Sequence, residues 1–132
     1  MPTVPSLLAV LICDTIIIDS QSQKKSLIGI FERIHASEVP FTQQLGFYAR
    51  LTDAEGEYTF TIRMIHLGDQ EKLVAAVQTV PVVQKDRLGI VDLALNMPPM
   101  PFPDFGRYEF QLFCNDIYIG RALISAVKAQ GA

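Results

Sequence analysis

Tyr58-Thr59-Phe60-Thr61-Ile62-Arg63-Met64 sets four large apolar side chains at every second position, with Thr59, Thr61 and Arg63 between them. Neighbouring side chains of a β-strand point to opposite faces, so this order buries one face and wets the other. In an α-helix the same residues would spread around the whole circumference. The alternation returns in Tyr108-Glu109-Phe110-Gln111-Leu112, and again where Val91, Leu93 and Leu95 alternate with Asp92, Ala94 and Asn96. Strands with one wet face build antiparallel sheets over a shared core.

Shorter segments of the same kind lie between these. Residues 47–52 alternate around Tyr48 and Arg50, residues 73–83 are rich in Val and Ala, and residues 117–127 close the pattern. Pro81 predicts an edge or a bulge, because proline cannot donate to a ladder. Turn residues punctuate the strands at Asp19-Ser20-Gln21-Ser22-Gln23, Asp53-Ala54-Glu55-Gly56, Leu67-Gly68-Asp69, Asp104-Phe105-Gly106 and Asn115-Asp116. This spacing predicts an all-β, antiparallel two-sheet sandwich of about seven to nine strands, with a short helical turn near residues 37–44 as the sole helix. One domain over residues 1–132 is expected, since no linker or second core is visible.

Asp104-Phe105-Gly106-Arg107-Tyr108 has the D-x-G-x-Y spacing of a tyrosine corner, in which the Tyr hydroxyl bonds back to the turn entering its strand. Gly106 is expected in the tight turn, Asp104 on the loop amides and Tyr108 at the corner. Asp53-Ala54-Glu55-Gly56-Glu57-Tyr58 is a looser echo. These entries predict an immunoglobulin-like Greek key, although Phe110 stands where an antibody domain has its cysteine and the chain holds no Trp.

Net charge is −3, and the eleven Lys and Arg are scattered, with Lys24-Lys25 adjacent. Nucleic-acid binding usually needs a basic surplus, so that class is disfavoured. No stretch nears the roughly 18 apolar residues of a membrane span, and the opening residues lack the cation-then-apolar pattern of a signal peptide. A cytoplasmic protein with no membrane partner is expected. Cys13 and Cys114 fit reduced, buried thiols, with no C-x-x-C spacing for zinc or redox work.

The first third is unusual in being apolar on both sides. Leu7, Ala9 and Leu11 alternate with Leu8, Val10 and Ile12, and Leu27, Gly29 and Phe31 with Ile28, Ile30 and Ile34, while Ile16-Ile17-Ile18 continues the theme. A strand apolar on both sides is normally covered on both sides. One side has no obvious cover, so Leu8, Val10, Ile12, Ile28 and Ile30 are the predicted interface with a second copy or another protein.

Taken in order, Leu11-Ile12-Cys13-Asp14, Asp19, Lys25-Ser26-Leu27-Ile28-Gly29-Ile30-Phe31-Glu32-Arg33-Ile34, Phe47-Tyr48-Ala49-Arg50-Leu51-Thr52-Asp53 and Gly106-Arg107-Tyr108-Glu109-Phe110 resemble an uncharacterised bacterial family of small β-sandwich proteins. The resemblance covers nearly the whole chain. It implies a bacterial cytoplasmic sandwich with no assigned activity, and carries over no catalytic residue.

Signals for chemistry are sparse. His35 has Glu32 and Glu38 near it in sequence and His66 has Asp69, yet no H-x-H or H-E-x-x-H spacing occurs. G-x-S-x-G and a phosphate-cradling glycine cluster are both missing. No cofactor, metal or catalytic residue is expected, and a non-enzymatic interaction or self-assembly module is the leading reading. The first alternative is a small-molecule or carbohydrate binder using Tyr48, Arg50 and Arg63, although sugar stacking usually uses Trp. The second is an enzyme centred on His35 or His66. Met97-Pro98-Pro99-Met100-Pro101-Phe102-Pro103 contains a P-x-x-P pattern, but without a flanking cation it reads as a stiff crossover pinned by Met100 and Phe102.

Overall fold

A computed structural model describes residues 3–68 and 70–130. In chain order the strands are β1 (Ser6–Ile18), β2 (Lys25–Ile30), β3 (Arg33–Ala36), β4 (Phe41–Gln43), β5 (Gly46–Thr52), β6 (Gly56–Tyr58) and β7 (Phe60–Leu67). They continue as β8 (Glu71–Gln78), β9 (Val82–Gln84), β10 (Val91–Asn96), β11 (Met100–Phe102), β12 (Gly106–Cys114) and β13 (Ile117–Lys128). Among the described residues the fold is all-β, with no helix.

The strands form a four-stranded sheet in the order β10-β5-β1-β2 and a five-stranded sheet in the order β3-β13-β12-β7-β8. Two ribbons, β11-β4 and β6-β9, complete the pairing, and among the described residues no sheet closes into a barrel. One buried cluster draws on both large sheets: Ile12, Phe47, Ala49, Leu51 and Leu93 from the first, Ile62, Met64, Tyr108, Phe110, Leu112 and Ile124 from the second. The alternating residues that opened the sequence reading thus bury their apolar side, since Tyr58, Phe60, Ile62 and Met64 all lie in this core.

Thirteen strands exceed the predicted number because breaks divide longer runs. Thr59 separates β6 from β7, where the Asn115 side chain accepts its N–H. Residues 79–81, with Pro81, separate β8 from β9. The helical turn expected near residues 37–44 is replaced by bends and β4. Its Phe41 stacks on Phe102, with centroids 5.0 Å apart, and β4 pairs with β11. Tertiary pairing overrides a weak local preference there. Pairing is antiparallel except for β3, which lies parallel to β13. Ile34 therefore belongs to the five-stranded sheet and to the core, rather than beside Ile28 and Ile30.

Two glycine–tyrosine turns introduce the inner strands. Gly106 (φ 126°) and Gly56 (φ 134°) hold backbone conformations that side chains rarely adopt. Two residues on, the Tyr108 hydroxyl accepts the Asp104 N–H at 3.2 Å and reaches the Asp104 carbonyl at 2.7 Å. The Tyr58 hydroxyl accepts the Glu55 N–H at 2.8 Å and donates to the Thr3 carbonyl at 2.7 Å. Asp104 serves its corner through its backbone N–H and carbonyl, and among the described residues its carboxylate makes none of the amide contacts expected of it. The β12–β13 hairpin turns on Asn115 and Asp116, both at positive φ, as a two-residue turn between right-twisted strands requires.

Candidate functional site

β1 runs longer than the sheet that holds it. It pairs with β5 from Ser6 to Cys13, and with β2 from Cys13 to Ile18. Beyond Cys13 the β1–β2 hairpin therefore projects as a two-stranded ribbon, closed by a turn in which the Asp19 carboxylate accepts the Ser22 N–H. By register, Ile17 and Ile28 lie on one side of the ribbon, and Ile18 lies with Lys25 and Leu27 on the other. Leu11, Ile17, Ile18, Ile28 and Ile30 are all between 37% and 58% exposed. β2 is also the outermost strand of its sheet.

The five predicted interface residues do not form one face. A bulge at Leu8 inserts an extra residue between the Leu7–Leu51 and Ala9–Arg50 pairs. It reverses the alternation, so that Leu7, Val10 and Ile12 turn to the core and Leu8 is left exposed. Ile12 is buried in the core and is withdrawn from the interface, and Val10 packs against the same core. Ile28 and Ile30 remain exposed on β2. The other side of β1 finds a small cover of its own, where Cys13, Ile16 and Tyr48 are buried together with Leu27 and Ala94 against them.

Beside this small cluster the outer side of the four-stranded sheet gathers ionisable groups. Asp92 on β10 lies opposite Arg50 on β5. Its carboxylate accepts Arg50 Nε at 2.9 Å, Arg50 Nη2 at 3.1 Å and the Tyr48 hydroxyl at 2.9 Å. Lys25 Nζ stands 3.5 Å away. The hydrogen bonds from Arg50, ahead of those from Tyr48 and the nearby charges, hold the Asp92 carboxyl below its usual range. Burial and the Asp92 charge push the Tyr48 hydroxyl up. A groove of about 520 Å³ runs past these residues, floored by Leu11, Leu27 and Ile30 and edged by Gln23 and Lys24.

Other predicted residues lie elsewhere. Arg63 is on the five-stranded sheet, with its guanidinium 4.6 Å from the Phe113 ring centroid, so it does not join Tyr48 and Arg50. His35 is exposed on β3. His66 rests on Tyr108 at 4.7 Å, with Nε2 3.2 Å from the Phe105 carbonyl oxygen. Asp69, its sequence neighbour, lies outside the described residues. Among the described residues no three His, Cys, Asp or Glu side chains gather as metal ligands would. Cys13 and Cys114 are buried and unbonded, one in the small cluster and the other in the main core. Burial raises both thiols, Cys114 to about 11. Met100 and Phe102 are buried in β11, which pins the proline-rich crossover.

Sequence reasoning missed Asp92 and Lys25, and it noted Ile17 and Ile18 as apolar without placing them in the interface. Asp92 read as one wet residue among several, and its pairing with Arg50 joins positions 42 residues apart. The adjacent Lys24-Lys25 was the available signal for the groove.

Among the described residues no helix is long and apolar enough to cross a membrane. Residues 8–126 match the model of a family of unknown function, DUF6941, and the chain belongs to that family. No curated protein and no solved structure matches.

Proposed function

We propose that this member of DUF6941 is a non-enzymatic self-association module that pairs with a second copy through the β1–β2 ribbon and the outer edge of β2. The observation that carries this reading is the projecting ribbon, with Ile17 and Ile28 exposed on one side and Ile18 on the other. A two-stranded ribbon is marginal in water by itself. A free strand edge offers unpaired N–H and C=O groups to another strand, and exposed isoleucines offer it a dry face. A second copy supplies both at once, in a two-fold arrangement where the same surface serves each partner.

The same proposal takes the two large sheets as the layers of an immunoglobulin-like Greek-key sandwich, supported by their shared core and the two tyrosine turns. It also takes the chain as bacterial and cytoplasmic, in keeping with two unbonded thiols.

Sedimentation of the purified protein at tens of micromolar tests the reading. A dimer or larger assembly is expected. Ile28→Thr with Ile30→Thr is expected to give a monomer that keeps its β-rich circular dichroism and its melting transition. A wild-type monomer, or a double variant that still assembles, would overturn the proposal.

A further inference from the structure

We propose that the groove beside Tyr48 and Arg50 binds a small organic anion with an apolar body, its acid group taken by Lys24, Lys25 and Arg50 and its body laid on Leu11, Leu27 and Ile30. This goes beyond self-association: the groove is built within one chain, shares Ile30 with the proposed pairing edge, and is tested at lysines whose ligand shifts are read separately from assembly.

Charge comes first. The chain as a whole is negative, at −3, yet three cations line this groove against the single carboxylate of Asp92. The local balance is the reverse of the global one, and it attracts anions into an otherwise repelling molecule.

Geometry comes second. Asp92 does not use up its partners. Two of the five N–H donors of Arg50 point at the carboxylate, and the side chain is still 47% exposed. Lys25 stands 3.5 Å from the same carboxylate, with no other side-chain bond among the described residues. Asp92, itself bonded by the Tyr48 hydroxyl, thus holds Arg50 and Lys25 in place before a ligand arrives, which lowers the ordering cost of binding. Asp19 lies at the ribbon tip, where its carboxylate is engaged by the Ser22 amide.

Shape comes third. A volume of about 520 Å³ is within the range of small-molecule pockets. Its floor is aliphatic, so a purely inorganic ion would leave Leu11, Leu27 and Ile30 wet. An acid carrying a hydrocarbon or aromatic body covers them.

Amide chemical-shift titration of the folded protein tests this with three probes: octanoate, inorganic phosphate and octylammonium. Octanoate is expected to shift the Leu11, Lys25, Tyr48 and Arg50 amides saturably in the millimolar range or below, with phosphate weaker and octylammonium without effect. Lys24→Gln and Lys25→Gln should each weaken octanoate binding by up to about tenfold, as expected for a lost charge-assisted contact. Lys24 is exposed and makes no side-chain hydrogen bond among the described residues, so its variant folds normally and keeps the test interpretable. Three outcomes would overturn the proposal. These are no saturable shift with octanoate, equal binding of octanoate and octylammonium (an apolar patch only), and shifts that both lysine variants leave unchanged.

Discussion

Asn96 holds Ile16 by both of its backbone groups: the Asn96 side-chain oxygen accepts the Ile16 N–H at 2.9 Å, and its amide nitrogen donates to the Ile16 carbonyl at 3.0 Å. This is the pattern by which one strand residue meets another, supplied here by a side chain 80 positions away. It ties β1 to β10 three residues past the last β1–β5 pair, at Cys13–Gly46. Beyond it, Ile17 and Ile18 have β2 alone as partner.

Asn96→Ala should therefore loosen the ribbon more than the body. A global loss of about 1–2 kcal/mol is expected from two unmade bonds, with much faster hydrogen exchange at the Ile16 amide. Asn96→Asp keeps the acceptor and loses the donor, so its Ile16 amide should stay protected. Equal exchange in both variants would show that the ribbon is held by other contacts.

Tyr108→Phe and Tyr58→Phe remove one hydroxyl each from a turn that depends on it. Each is expected to cost about 1–2 kcal/mol in urea unfolding, because backbone groups at Asp104 and Glu55 lose their partner. A loss under about 0.3 kcal/mol would mean that water replaces the hydroxyl freely.

Glu109 is 6% exposed on β12, and its carboxylate accepts Arg121 Nη1 at 2.9 Å and Gln111 Nε2 at 2.6 Å. Arg121→Ala strands that charge and is expected to destabilise by about 1–2 kcal/mol, a modest figure because Arg121 itself is half in water. Arg121→Ala with Glu109→Gln should recover part of the loss. If the second change adds to the first, the two side chains are not coupled.

Asp92 sets a pH dependence. Its folded-state pKa is depressed, so the stabilisation it brings is present above the ordinary carboxylate pKa of about 4 and is lost as pH falls through the folded value. Asp92→Asn should lower stability at neutral pH and flatten the decline in acid, so that the two melting curves begin to draw together below about pH 4 and meet once pH has fallen past the depressed folded value. Parallel curves across the whole range would remove Asp92 as the cause.

Both thiols are buried and raised in pKa, hence protonated at neutral pH. An aromatic disulfide reagent should label neither Cys13 nor Cys114 in the folded protein, and both in denaturant. Rapid labelling of Cys13 under native conditions would show that the small cluster opens readily.

The sequence by itself determined the strongly alternating strands and their buried side. Period-two alternation in Tyr58, Phe60, Ile62 and Met64 needs no knowledge of distant residues, since each side chain's face follows from its neighbour's. Glycine and tyrosine two positions apart marked both turns for the same local reason. Tertiary structure alone decided the rest. The Leu8 bulge sent Val10 and Ile12 inward because β1 had to match Leu51 and Arg50 on β5, a register invisible from β1 alone. Asp92, Arg50, Tyr48 and Lys25 became one cluster through strand order, and Asn96 reached Ile16 the same way. Alternation is a property of adjacent residues, whereas register and strand order are properties of which chains meet, and those are settled by how the whole core closes.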